Sequence, residues 1–316
     1  MARDRTPHRL CPEDPTLDRD RKTPARHGAT MTIVDAIRGG VMDPELAAVV
    51  WLLLDGGVPI LVAGPGGDAI AREARSEVLA AMLDLLPATR QPRRLRAEQD
   101  DFAWLGPAEV LGWRRTGPAD AVPADPAATV ILAGELGSDP MADTTGDRAR
   151  LVVRAIGAGF GLAATTEAAR LEDVLAVLRR RPIGLTDDEL SRLGVVAILG
   201  DRPDGPRRIV TAHYLRPLAR DVHGHPQRLP PAVLAAWDDR SARFEHFAWG
   251  VATELAARVG RRTGDFERER ERRAAVLSVL TAIDPDAPDG PSPGEIRAAL
   301  ERGRFGGPPG GGPQGG

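Results

Sequence analysis

The residues best placed to do chemistry lie in one stretch, Gly64-Pro65-Gly66-Gly67-Asp68-Ala69-Ile70-Ala71-Arg72. Ahead of it, Val58 to Ala63 is a short apolar run of the kind that forms a buried parallel strand. Behind it, Ala71, Ala74, Val78, Ala81, Met82 and Leu85 recur at helical spacing until Pro87, with Asp68 as the N-cap. Strand, glycine turn and helix N-terminus make a cradle for phosphate, because backbone N–H groups and the positive end of the helix dipole converge on the anion. A triphosphate needs the spacing G-x-x-x-x-G-K-[ST], with lysine on the β/γ-phosphates and the hydroxyl on magnesium. Aligned from Gly64, the chain reads G-P-G-G-D-A-I-A, which puts Ala69 at the second glycine, Ile70 at the lysine and Ala71 at the hydroxyl. Asp68 places a carboxylate where phosphate would sit, and its side chain satisfies the helix end from within. The loop keeps the outline of a phosphate seat and lacks its chemistry. Ile70 is expected to face the sheet, as an apolar helix residue would.

No other part of the chain supplies the missing cation in an obvious way. Lys22 is the only lysine, and it lies in the N-terminal segment. Arg72 and Arg75 are the nearest positive groups, and an exposed helix face explains them as well as a phosphate does. The run Ala128 to Glu135, ATVILAGE, reads as a second buried strand ending in an acid. A carboxylate there can hold magnesium or activate water in a phosphate-binding domain. With no phosphate beside it, Glu135 reads better as a solvated strand end. Glu167 is placed to pair with Arg170 or Arg72, or to cap a helix. Asp221, His223 and His225 have a spacing that some metal sites use, but such a pair in a Gly/Pro loop is more often solvated, and no metal is expected. The run from Arg268 to Arg273, RERERR, alternates in sign and reads as a solvated helix face with local pairs. Arg93, Arg94 and Arg96 are thin grounds for an acidic partner. There is no G-x-S-x-G, no H-E-x-x-H and no cysteine nucleophile in the core.

Around these residues the chain alternates strands and helices, which implies a mostly parallel sheet covered on both faces. Asp43-Pro44-Glu45 starts a helix that Gly56 and Gly57 end. Leu95, Phe102, Trp104 and Leu105 mark a second strand, and Ala108 to Trp113 a short helix. A helix from Asp147 to Ala158, a strand from Gly159 to Thr165 and a helix from Leu171 to Arg180 follow. Thr186 and Glu189 form a capping box. Val195 to Leu199 and Arg208 to Leu215 read as a hairpin at the sheet edge. Helices are expected at Pro231 to Trp237, Phe244 to Val259, Phe266 to Ile283 and Pro293 to Arg302. Residues 1–30 read as a disordered segment, so Met31 is a candidate start, and residues 304–316 read as a flexible Gly/Pro tail.

Composition narrows the function classes. The 316 residues carry a net charge of -3 and only 4% aromatic residues, which argues against a nucleic-acid surface. The single Cys11 excludes an internal disulfide framework and suits the cytoplasm. The longest apolar run, Leu46 to Leu54, is too short to span a bilayer.

Taken in order, these stretches resemble the motor ATPases of type II and type IV secretion systems and type IV pili. AGPGGDAIA looks like that family's AGPTGAGKT loop. TVILAGELGSD looks like its second acidic strand, with Glu135 at the catalytic glutamate. GAGFGLAATTEA looks like its histidine box, G-h-x-x-x-T-x-H-A, with Glu167 where the histidine belongs. LGVVAILGDRPDGPRRIVTAHYL looks like the closing hairpin, with Arg207 and Arg208 as the arginine pair, and Glu98 and Asp101 correspond loosely to the acidic box. The helix DPELAAVVWLLLDGG also fits. The resemblance covers about residues 33 to 216. It implies a RecA-like P-loop NTPase core over residues 31–216, with a helical annex over residues 217–303 and an oligomeric partner. The family's nucleotide-covering N-terminal domain has no room before Met31. The departures fall on the functional positions. The expectation is therefore a non-hydrolysing structural or regulatory subunit without cofactor, assembling with copies of itself or with an intact secretion-type ATPase. The alternative is a working ATPase that binds ATP and magnesium, with Arg72 or Arg75 in place of lysine and Glu135 as base. A nucleotide sensor without turnover lies between the two.

Overall fold

The protein is described by a computed structural model over residues 31–96, 100–113, 122–202, 207–220, 223, 225–283 and 293–305. The expectations for residues 1–30 and for the tail beyond 305 lie outside these residues. In chain order the elements are α1 (Ile33–Arg38), α2 (Pro44–Asp55), β1 (Ile60–Gly64), α3 (Ala69–Leu83), β2 (Gln91–Arg94), β3 (Thr129–Glu135), α4 (Gly146–Ile156), β4 (Gly161–Glu167), α5 (Leu171–Arg179) and α6 (Asp187–Leu190). Then come β5 (Val195–Gly200), β6 (Arg208–Tyr214), the short pair β7 (Ala219–Arg220) and β8 (Pro226–Gln227), β9 (Ala232–Asp238), β10 (Arg243–His246), α7 (Ala252–Arg258), α8 (Thr263–Ala282) and α9 (Pro293–Phe305).

One eight-stranded sheet organises the molecule in the order β10-β9-β6-β5-β1-β4-β3-β2. β5, β1, β4, β3 and β2 are parallel, and β6, β9 and β10 extend the sheet antiparallel. The order 5-1-4-3-2, with β1 central and a glycine turn at its C-terminal end, is that of a RecA-like core. Helices cover both faces. α1, α2, α3, α7, α8 and α9 pack one apolar core against Ile60, Val62 and Leu234. α4, α5 and α6 pack a second against Leu61, Ile131 and Leu162. Central β1 is buried along its whole length, as a strand covered on both faces must be.

α2 shows how local signals set the frame. Asp43 Oδ1 accepts the Leu46 N–H at 2.9 Å, Pro44 occupies the first helical position, and Leu46 through Leu54 are all buried. α8 lies across α2 and buries a single stripe, Phe266, Arg273, Leu277 and Leu280. Arg38 of α1 donates to the carbonyls of Thr281 and Leu280, at 3.1 and 3.2 Å, satisfying the end of α8 where a cation is also favoured by the dipole.

Several expectations are corrected. Pro231 to Trp237 is not a helix but lies largely in β9. The stretch from Phe244 to Val259 divides into β10, a 3-10 turn at Ala248–Val251 and α7. The region after residue 216 is therefore not wholly helical, and the β5–β6 hairpin is not at the edge, because β9 pairs with β6. The second strand lies at Gln91–Arg94, not at Leu95 to Leu105, and Ala108 to Trp113 is a turn. In the RERERR run, Arg268 and Glu271 are exposed and Glu269 makes local pairs, as expected of a solvated face, but Arg273 departs from it. Arg273 is fully buried, with Nε 2.8 Å from Glu269, Nη1 2.6 Å from Asp55, and the guanidinium 4.6 Å from the centre of the Trp51 ring.

Asp43 makes a second link. Its Oδ2 lies 2.8 Å from His246 Nε2, joining β10 to the start of α2. Burial alone lowers the imidazole pKa, but the hydrogen bond and charge of Asp43, with Glu45 beside it, outweigh both burial and Arg270, and the net direction is upward. A group whose pKa rises on folding stabilises fully below its unfolded value, about 6.5, and the stabilisation is lost as pH climbs through the folded value. Urea unfolding should show wild-type stability falling between about pH 6 and 8, with the slope flattened in His246→Gln. An unchanged slope in the variant would exclude the link.

Candidate functional site

The site forms where the C-terminal ends of β1, β3 and β4 meet the start of α3. This is the end of a parallel sheet at which ligands bind, in the crevice where neighbouring crossovers diverge. The loop from Gly64 to Asp68 turns here. Gly66 has φ +87, which favours glycine, and a Cβ on Gly67 would come within 2.8 Å of Glu167 Oε2. Asp68 Oδ1 accepts the Ala71 N–H at 2.7 Å. One of the donors that would face a phosphate is thereby occupied by the chain's own carboxylate.

Beneath the loop lies Arg75. It belongs to the buried stripe of α3, in line with Ala71, Val78 and Met82, and is 0% exposed. Its Nη1 donates to the carbonyls of Gly66, Gly64 and Pro65, at 2.7, 3.1 and 3.4 Å. Its Nη2 donates to Glu135 Oε2 at 2.7 Å. Arg72, one turn earlier, donates to the same oxygen from Nε at 3.2 Å. A third guanidinium reaches the loop from β6's approach: Arg207 Nη1 donates to the Pro65 carbonyl at 2.9 Å while its Nε pairs with Asp201. A phosphate cradle aims N–H groups at an anion. This loop aims three carbonyls at a cation that the chain itself provides.

Glu135 reaches Arg75 because β3 is irregular. Leu132 pairs with Ala163 and Glu135 with Thr165, so β3 spends one extra residue there, with Gly134 at φ +65. Strand side chains alternate, so an unbulged Glu135 would share the face of Ile131 and Ala133. The bulge turns it to the face that α3 covers. Its N–H is held by Asp143 Oδ2 at 2.8 Å, and the residue is only 4% exposed. Glu135 is thus neither a solvated strand end nor a carboxylate open to water. It is a buried counter-ion to two arginines.

The cleft beside the loop has a volume of about 480 Å³. Glu135, Asp139, Glu167 and Asp173 are among its lining residues, and among the described residues no lysine or arginine is. Glu135 is paired with Arg72 and Arg75 and Asp173 with Arg170, so Asp139 and Glu167 give the lining its acidic character. At this site the cation under the loop is engaged by the loop carbonyls and Glu135, and Ala71 stands where the phosphate-loop pattern has a hydroxyl.

The other sequence candidates are placed as follows. Gly64, Pro65, Gly66, Gly67, Asp68, Ala69, Ile70, Ala71 and Arg72 do form one strand–turn–helix. Ile70 is 79% exposed, so the expectation that it faces the sheet is wrong. Arg75, expected to be compatible with an exposed helix face, is wholly buried. Its signal was present: an arginine at the i, i+4, i+7, i+11 stripe of Ala71, Val78 and Met82. Glu167 is exposed beside Gly67. The partners suggested for it are engaged elsewhere, Arg170 with Asp173 and Arg72 with Glu135. Arg208 turns away from the loop: Nε donates to the Gly40 carbonyl at 2.9 Å, and the guanidinium stacks 3.3 Å from the Trp237 ring centre. Asp101 caps the turn after it, accepting the Ala103 N–H at 3.0 Å, and does not line the cleft. Glu98 and Asp221 lie outside the described residues. Among the described residues no cluster of His, Cys, Asp and Glu is arranged to hold a metal ion. Nor, among them, is any helix long and apolar enough to cross a membrane.

No protein-family model matches the chain, and no curated protein does. Solved structures with a loose likeness include the VirB11 ATPase of the Brucella suis type IV secretion system in complex with sulphate. It is 15% identical with a TM-score of 0.36, over 61% of this chain and 59% of that one. Another is the Yersinia pseudotuberculosis ATPase DotB, 11% identical with a TM-score of 0.31, over 84% of this chain and 62% of that one. The matched region thus spans about three fifths of each of these solved chains, and the overlap is too loose to carry a site across.

Proposed function

We propose that this chain is a RecA-like domain of the secretion-ATPase type that neither binds nor hydrolyses nucleotide. It serves as a structural or regulatory subunit, in the cytoplasm, beside copies of itself or an intact ATPase of the same type. The observation that carries this reading is the buried Arg75 guanidinium, which joins the carbonyls of Gly64, Pro65 and Gly66 to Glu135. These bonds hold the loop in the conformation described. Opening it for a phosphate would require moving a buried ion pair and reversing three carbonyls. Hydrogen bonds to charged groups contribute about 1.5–3 kcal/mol each, so binding would have to supply several kcal/mol before any net affinity appeared. A working ATPase using Arg75 in place of lysine would need that same guanidinium in two places. Arg72 is the more accessible group, yet its Nε also lies on Glu135.

Phosphate release from Mg-ATP tests the reading. The full-length protein should release no phosphate above the buffer rate, and Glu135→Gln should behave identically. Turnover that is present in the wild type and collapses in Glu135→Gln would establish the ATPase reading instead.

A further inference from the structure

We propose that a second pocket, between α5, α6, the end of β6 and the approach to β9, binds a short branched apolar group that carries a carboxylate. The pocket has a volume of about 140 Å³ and is lined by Leu175, Leu190, Leu215 and Leu229, with Pro231 at its mouth. Of these, Leu190 and Leu215 are buried and supply its apolar base. A dry leucine-lined cavity of about 150 Å³ is large enough for a benzene ring, so an isobutyl or isopropyl group fits this one. Its rim is charged, and unevenly so. Among the described residues, Arg179, Arg216 and Arg228 line it with a single acid, Asp187. Arg179 and Arg228 share that one carboxylate, Arg179 through Nη2 at 2.9 Å, while Arg216 is held by Glu254 from outside the lining. An apolar floor beneath two guanidiniums that divide one counter-ion favours a ligand with both characters: a branched hydrocarbon end and a carboxylate that forks onto arginine.

This pocket is separate from the cleft beside the glycine loop. On α5, Asp173 and Val177 line the loop cleft, whereas Leu175 and Arg179 line the leucine pocket. Two residues along a helix turn the side chain by about 200°, so the two sites lie on opposite flanks of α5. The proposal therefore does not depend on whether the loop binds nucleotide. Two sources supply the chemistry: a free branched-chain acid, or the C-terminal leucine, valine or isoleucine of a protein chain.

Calorimetry on the full-length protein tests it with four probes: 4-methylpentanoate, 4-methylpentan-1-ol, and acetyl-Gly-Gly-Leu as the free acid and as the amide. The expected result is saturable binding of at least one acid and of neither the alcohol nor the amide. Arg228→Gln should weaken that binding about tenfold or more, the loss of one charge-assisted contact. Ser191→Leu, which fills the pocket from its rim, should abolish it, and both variants should melt within a few degrees of wild type. Binding of 4-methylpentanoate alone assigns a free acid, and binding of the peptide acid assigns a chain terminus. Three results would overturn the proposal: equal binding of alcohol and acid, affinity unchanged in Arg228→Gln or Ser191→Leu, or no saturation by either acid up to about 10 mM, the weak end for ligands of this size.

Discussion

Replacing Arg75 with methionine should remove about 3–5 kcal/mol of unfolding free energy, the usual cost of leaving one partner of a buried pair alone. The size follows from what remains. Glu135 is 4% exposed, and in the variant it keeps only Arg72, whose side chain is 31% exposed and approaches through Nε at 3.2 Å. The carbonyls of Gly64 and Gly66 lose their closest side-chain donor. Arg75→Lys should recover part of the loss, because an ammonium cannot hold the carbonyls and the carboxylate in one fork. The double variant Arg75→Met, Glu135→Leu should cost less than the sum of the singles, since it removes the stranded charge as well. Urea denaturation measures the wild type, the single variants Arg75→Met, Arg75→Lys and Glu135→Leu, and the double variant. A Met variant within about 0.5 kcal/mol of wild type, the range of ordinary surface changes, would mean the guanidinium does not hold the loop.

Replacing Arg273 with leucine should be of similar size, about 3–5 kcal/mol, and for a related reason. Arg273 is the fully buried link between α8 and α2, set between Glu269 and Asp55 over the face of Trp51. Its contact with Asp55 is an ion pair rather than an aligned hydrogen bond, and Nη2 has no partner among the described residues, so the geometry is less well satisfied than at Arg75. Without the arginine, Asp55 loses its ion pair to α8 while Glu269 keeps Arg272. Burial pushes the Glu269 pKa up, but hydrogen bonds from Arg272 and Arg273 pull it down further, and the net direction is downward. That stabilisation is present above about pH 4.5 and is lost as pH falls through the folded value. Acid unfolding of Arg273→Leu should therefore show a shallower dependence in that range, in addition to the lower stability at neutral pH. Equal stability of wild type and variant would sever α8 from the core as described.

The two arginines also show where the sequence was legible. The strand, turn and helix around the loop were readable because their signals are local: a β-branched run, a Gly/Pro break, an aspartate at the N-cap. The same holds for α2, α4, α5 and the Thr186 capping box. β9 was not readable, because AVLAAWD holds three alanines and a leucine, which favour a helix by propensity; pairing with β6 overrides that preference. β2 was missed for the opposite reason, since QPRR carries charge and a proline, which suit an exposed edge strand and no other kind. At the site, the absence of lysine was visible in the residues. The bulge that turns Glu135 onto the face of α3 was not. The burial of Arg75 was announced only by its place in an apolar stripe, where a single charge is easily read as the rim of a helix face.

The central claim is that the seat under the glycine loop is filled by the protein's own cation and carboxylate. A calorimetric titration of the full-length protein with Mg-ATP addresses it directly. No saturable heat is expected, in the wild type and in Arg75→Met alike. Micromolar binding by the wild type that disappears in Arg75→Met would contradict it, by showing that Arg75 leaves Glu135 to hold a phosphate.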